Sequence, residues 1–202
     1  MPDISAKDVK ALRDRTGAGM MECKAALQEA GGDVDQAIEV LRVKGQAKAA
    51  KRGERAVNEG VVESYVHATG KIGVLVEVDC ETDFVARTDD FREFARDVAL
   101  HVAAAAPRYV SESDVPEEAR EAELRVLRDQ AAAEGKPEQV QEKMAEGRLR
   151  KWLEEGVLLN QVHVNEEKHG GKTIEELRSE LAANTGENVV VRRFQRFDVA
   201  EV

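Results

Sequence analysis

The residue types that most often carry catalysis or bind metals are sparse in this chain and poorly spaced for either task. The four histidines are His67, His101, His163 and His169. None falls in an H-E-x-x-H or H-x-x-x-H pattern, the spacings that aim two imidazoles at one metal. His163 and His169 flank a polar stretch and are expected in solvent. His101 shares its segment with Val98 and Val102 and is expected to be a packed or surface histidine. The two cysteines, Cys23 and Cys80, are far apart and form no Cys-x-x-Cys. A nucleophilic cysteine needs a base beside it, and the sequence nominates none. Both cysteines sit on apolar stripes, where a small buried hydrophobe is the default reading. The glycine-bearing stretch Thr16-Gly17-Ala18-Gly19-Met20 lacks the G-K-[ST] ending of a phosphate loop. No catalytic group, metal or cofactor is therefore expected.

One segment departs from this bland pattern. Asp79-Cys80-Glu81-Thr82-Asp83-Phe84-Val85-Ala86-Arg87 joins a strand-like run to a helix-like one. A connection of this kind belongs at the surface, yet it carries Phe84 and Val85 among acidic residues. Two readings stand. Phe84 either tucks back beside Phe91, or remains exposed as an aromatic awaiting a partner.

The elements that must hold this segment can be read from periodicity. Ser5 and Asp8 have capping-box spacing, with Ile4 and Val9 as a hydrophobic staple, so a helix opens there and stops near Gly17-Ala18-Gly19. A second helix carries Met20, Cys23, Leu27 and Ala30 on one face and ends at Gly31-Gly32. Asp33, with Gln36 three residues on, caps a third whose stripe is Val34, Ala37, Ile38 and Leu41. These helices make a domain over residues 1–45. A basic linker is expected over 46–58, overlapping the basic run from Arg42 to Arg55, with Lys48 to Arg55 in water. A core domain follows over 59–202.

Within that core, residues 60–80 alternate with period two about a turn at Ala68-Thr69-Gly70, which predicts a β-hairpin. A helix is predicted over about 89–106. A helical hairpin is predicted over about 117–155, broken at Gly135-Lys136-Pro137, with seams at Val140, Met144 and Gly147 and at Ala145, Leu149 and Trp152. Thr173 and Glu176 cap a further helix. Residues 188–199 read as a last strand, with a bulge suggested where the alternation slips between Phe194 and Phe197. The fold class is α+β: a three-helix bundle, then a three-stranded antiparallel sheet packed with helices and an antiparallel helical hairpin.

Composition bounds the partners. With 35% charged residues, 4% aromatics and a net charge of −10, the core must be aliphatic and the partner is not expected to be nucleic acid, which needs a basic footprint. Few cysteines, no apolar leader and no membrane-length apolar run predict a soluble cytoplasmic protein.

Two long motifs resemble the elongation factor Ts family over nearly the whole chain. The first is Leu12-Arg13-Asp14-Arg15-Thr16-Gly17-Ala18-Gly19-Met20-Met21-Glu22-Cys23-Lys24-Ala25-Ala26-Leu27. The second is Glu77-Val78-Asp79-Cys80-Glu81-Thr82-Asp83-Phe84-Val85-Ala86. Weaker matches are His101-Val102-Ala103-Ala104, Gly135-Lys136-Pro137 and Lys143-Met144-Ala145-Glu146-Gly147-Arg148. The resemblance implies a ubiquitin-associated-like N-terminal domain and a GTPase partner, elongation factor Tu. It implies that Leu12, Arg13, Met20, Met21 and Lys24 dock on that GTPase. It further implies that Thr82, Asp83, Phe84 and Val85 intrude near its magnesium site to release GDP, with His101 as a core contact. The chain has room for one core, like the short bacterial form, which implies a homodimer with a seam expected near Val189 to Phe197. Two rivals from other classes remain: a helical adaptor without exchange activity, and a small thiol enzyme using Cys80.

Overall fold

A computed structural model of the chain describes residues 4–16, 18–135 and 137–200. In chain order the elements are α1 (Ala6–Thr16), α2 (Met20–Glu29), α3 (Val34–Gly53), β1 (Glu59–Val66), β2 (Ile72–Cys80), α4 (Asp83–Ala86) and α5 (Asp89–Ala105). There follow α6 (Glu117–Ala133), α7 (Glu138–Gly156), α8 (Glu166–His169), α9 (Ile174–Thr185) and β3 (Val190–Asp198). The chain divides into two compact units. One comprises Met1–Val61, Asp79–Arg92 and Arg178–Val190; the other comprises Val62–Val78, Glu93–Leu177 and Val191–Val202. No helix among the described residues is long and apolar enough to cross a membrane.

The first unit begins with the three helices that the caps predict. The Ser5 hydroxyl accepts from the Asp8 amide at 3.2 Å while the Asp8 carboxylate accepts from the Ser5 amide at 3.3 Å. Asp33 accepts from the Gln36 amide at 2.9 Å. These side chains satisfy amides that the first helical turn leaves unpaired. Val9, Leu12, Cys23, Ala26, Leu27 and Ala37 form a closed aliphatic core, with Ile4 and Val34 packed on it. The basic run departs from expectation. Rather than a solvated linker it continues α3 to Gly53. Arg52 is buried and donates to the Ala182 carbonyl. Arg55 pairs with Glu81 at 3.2 Å. Guanidinium forks reach carbonyl and carboxylate acceptors that a sequence run cannot reveal. The side chains of residues 46–51, Lys48 among them, and Gly17 and Lys136 of the quoted motifs lie outside the described set.

The second unit is built on the antiparallel sheet, in strand order β1-β2-β3. The His67 amide donates to the Ile72 carbonyl at 2.9 Å, and the Val199 amide to the Lys71 carbonyl at 3.0 Å. This register aligns Val66 with Gly73 and Phe197, and Val62 with Glu77 and Arg193, whose side chains are paired. Burial in β3 alternates regularly from Phe194 to Asp198, so the slip is not between Phe194 and Phe197; the alternation breaks instead at Arg192 and Arg193, which are both exposed. Phe194 and Phe197 differ in parity, so a regular strand sends them to opposite faces. Val74, Val76 and Val78 are buried on one face; Val62, Val66, Leu75 and Phe197 are exposed on the other.

In the helical hairpin, Leu127 and Ala131 of α6 and Ala145 and Leu153 of α7 are buried, whereas Val140 is exposed. The seam thus follows the Ala145 face rather than the Val140 face. Arg128–Glu142 and Arg148–Glu134 ion pairs flank it. Trp152 packs with Val115, Leu153 and Val157, and the Arg108 guanidinium lies 4.7 Å from its ring centre. Thr173 and Glu176 complete the predicted capping box of α9: the Glu176 carboxylate accepts from the Thr173 amide at 2.9 Å, and the Thr173 hydroxyl accepts from the Glu176 amide at 3.2 Å.

Candidate functional site

The segment that stood out in the sequence forms a hydrogen-bonded turn in the first unit. Thr82 is the N-cap of α4, its hydroxyl accepting from the Val85 amide at 3.5 Å. Asp83 opens that helical turn and pairs with Arg87 at 2.9 Å. Ala86 is buried, Val85 half-buried, and Phe84 is 81% exposed. Phe91 is the residue that fills the interior, with 0% exposure. Of the two readings of Phe84, the exposed aromatic is therefore the one realised. A single helical turn makes one register of hydrogen bonds and does not support itself. Anchors outside it hold this one.

Two carboxylates supply those anchors. Glu187 accepts from the amides of Glu81 and Thr82 at 3.0 and 3.1 Å, and from the Thr82 hydroxyl at 2.6 Å. Glu81 accepts from the Asn188 amide at 2.7 Å and from Arg55 at 3.2 Å. The Asn188 amide and the Arg55 guanidinium hold the Glu81 carboxyl below its ordinary range. Asn188 also donates to the Arg55 carbonyl at 3.0 Å. Gly186, at φ +77°, makes this arrangement feasible. A residue in the left-handed region ends α9 and turns the chain at once, which only glycine does without steric cost.

A second exposed group lies on the N-terminal helices. Met20 and Met21 open α2, and Met21 is 75% exposed. Arg13 and Lys24 are exposed as well. Leu12 differs from them: it is fully buried in the three-helix core, so its side chain supports this surface from beneath and does not belong to it.

A sequence profile described as Elongation factor TS matches residues 4–170. Elongation factor Ts of Caldanaerobacter subterraneus subsp. tengcongensis is 52% identical over 198 residues, covering 98% of both chains. Elongation factor Ts of Thermosipho melanesiensis is 54% identical, covering 98% of this chain and all of that relative. The chain belongs to the elongation factor Ts family. Its members are named as elongation factors, which sets this one in translation elongation.

Within this elongation factor Ts fold His163 and His169 are not in solvent, where the sequence suggested, whereas His101 is packed, one of the two placements expected of it. His101 has 0% exposure in the second unit. Its Nδ1 accepts from the Val164 amide at 3.2 Å, so the proton resides on Nε2, 2.9 Å from the Gln161 side-chain oxygen. Burial pushes its pKa down to about 4. His163, expected in solvent, is also buried; its Nδ1 accepts from the Asn165 amide and its Nε2 donates to the Asp97 carbonyl at 3.1 Å. His169 is mostly buried, its Nε2 3.1 Å from an Asp97 carboxylate oxygen.

Asp97, His163 and His169 thus come together with donor atoms within 4.8 Å of one another. The cluster is nonetheless closed to a metal. Both nitrogens of His163 are engaged with backbone, and Asp97 is neutralised by the Lys168 ammonium at 2.7 and 3.0 Å. It acts as a clamp between α5 and the loop leading to α8. No spacing rule could have found it, because Asp97 lies more than sixty residues from the two histidines in sequence.

Cys80 is buried, its thiol donating to the Thr82 carbonyl at 3.2 Å, and burial raises its pKa to about 11. A thiol so placed is almost wholly protonated near neutrality and a poor nucleophile. Sequence reasoning missed Glu187 and Asn188 altogether. Their only mark in the sequence is a glycine followed by two polar residues before the last strand.

Proposed function

We propose that this chain is a guanine-nucleotide exchange factor for the GTPase elongation factor Tu, and that Thr82-Asp83-Phe84-Val85 intrudes near the GTPase's magnesium and phosphate site to release GDP. The observation that carries the reading is Phe84, 81% exposed at the tip of a hydrogen-bonded turn within the family's own motif. Phe84 fills no part of this protein's core, so folding gives no reason for a phenyl ring at this position. A partner surface does.

Exchange needs no covalent step. It needs a factor that binds the nucleotide-free GTPase more tightly than the loaded one, and the coupling is reciprocal. Burying one phenyl ring contributes about 1.5–3 kcal/mol, and about 1.4 kcal/mol corresponds to tenfold in an equilibrium constant. Phe84 therefore weakens GDP by about ten- to a hundredfold if its pocket exists only in the open GTPase. Arg13, Met20, Met21 and Lys24 supply the docking surface that brings the turn to the nucleotide domain, on a core that Leu12 helps to fill. The factor acts as a homodimer. Of the stretch Val189 to Phe197 expected at the seam, Val189 and Val191 are buried, but Phe197 is exposed on the open sheet face with Val62, Val66 and Leu75, and these apolar residues support a seam there.

The test is release of a fluorescent GDP analogue from elongation factor Tu, with Phe84→Ala against the unaltered chain. Release is expected to slow at least tenfold while the complex still forms. Undiminished release by the variant refutes the intrusion. A complex that forms without any acceleration by the unaltered chain identifies an adaptor instead.

A further inference from the structure

We infer that Glu187 is the positioning residue of the exchange turn, holding Thr82 and α4 so that Phe84 is presented to the GTPase in its working orientation. This inference rests on the reading of that turn as the intruding element. Phe84 makes little contact with its own protein, so nothing at the tip fixes its direction. The turn is four residues long and lacks the intrahelical bonds to stand alone. Its rigidity comes from behind.

Glu187 spends both oxygens on this task. One accepts the Glu81 and Thr82 amides at 3.0 and 3.1 Å, the groups that β2 leaves unpaired as it ends. The other accepts the Thr82 hydroxyl at 2.6 Å. That last bond sets the cap: with its hydrogen committed to Glu187, the hydroxyl turns a lone pair to the Val85 amide. The contact is reciprocal, since Glu81 in turn accepts the Asn188 amide at 2.7 Å. Residues 81–82 and 187–188 are thereby locked as a pair, and the ring is carried at the far end of a fixed lever. Pre-organisation of this kind is what lets a binding group act without first losing freedom.

Glu187→Gln retains the size of the side chain but offers one acceptor oxygen in place of two and turns an N–H₂ toward donors. GDP release from elongation factor Tu is followed over a range of factor concentrations. The maximal release rate is expected to fall about tenfold, as loss of charge-assisted backbone bonds implies. The half-saturating concentration is expected to change less than about twofold, because the N-terminal docking surface is intact. In a Phe84→Ala background the same substitution is expected to change the maximal rate less than about twofold, since Glu187 acts through the ring. Thr82→Val, which removes the hydroxyl bond to Glu187 together with the cap that this bond sets on the Val85 amide, is the second variant and serves if Glu187→Gln fails to fold.

Undiminished release by both variants overturns the inference. So does an equal loss with and without Phe84, which marks a general structural role. If Phe84→Ala alone leaves release at the unaltered rate, the intrusion reading itself fails and this inference with it. A slow Phe84→Ala beside a fully active Glu187→Gln removes only the role of Glu187.

Discussion

His101 makes the stability of this protein depend on pH in a calculable way. The imidazole is fully buried, neutral, and bonded at both nitrogens to Gln161 and the Val164 amide. Its pKa falls from 6.5 to about 4 on folding, chiefly through burial. Between these values the unfolded chain binds a proton that the folded chain refuses, so stability is present above the unfolded pKa and declines as pH falls toward the folded one. Integrating from pH 7 to pH 5 gives a loss of about 2 kcal/mol from this residue. His163, whose pKa burial also lowers, adds to the loss with the same sign. Urea unfolding at pH 7 and pH 5 measures it, with His101→Leu as the comparison. The variant is less stable at both pH values because Gln161 and the Val164 amide lose a partner. Its loss between the two is expected to be smaller by about 2 kcal/mol. If the unaltered chain and the variant lose the same stability over that interval, the buried-neutral account of His101 is wrong.

Phe91→Ala is expected to cost about 3–5 kcal/mol in chemical denaturation, since it empties a fully buried site. Phe84→Ala, at an exposed site, is expected to change stability by less than about 0.5 kcal/mol; a large cost there contradicts the exposed position of the ring. Leu75→Glu puts a charge at the centre of the open sheet face, next to Ser64 in register. Light scattering is expected to report a dimer for the unaltered chain and a monomer for the variant, whereas two species of equal size argue against a seam on that face.

The elements that local chemistry dictates were legible from the residues. Ser5 with Asp8, Asp33 with Gln36 and Thr173 with Glu176 each mark a helix start within four residues, and all three form the predicted bonds. Alternation from Val74 to Val78 gave the buried face of β2 directly. The motif through Thr82 to Val85 was visible as an apolar pair in an acidic connection. Sequence failed where a residue's environment is made by distant chain. His163 read as a loop residue because its neighbours are polar, yet Asp97 and His101 arrive from another helix to enclose it. Arg52 read as part of a solvated basic run, yet its acceptor is a carbonyl of α9.

What the sequence determined by itself is therefore most of the longer helices and the strands, the family, and the segment from Thr82 to Val85 that stands out from its surroundings. Caps, periods and motif spacing act over a few residues, so they are written locally. Tertiary structure alone decided that Phe84 stays in solvent while Phe91 fills the core, and that Glu187 holds the turn from more than a hundred residues away. Burial and long-range hydrogen bonds depend on which segments meet in space, and no local pattern encodes that meeting.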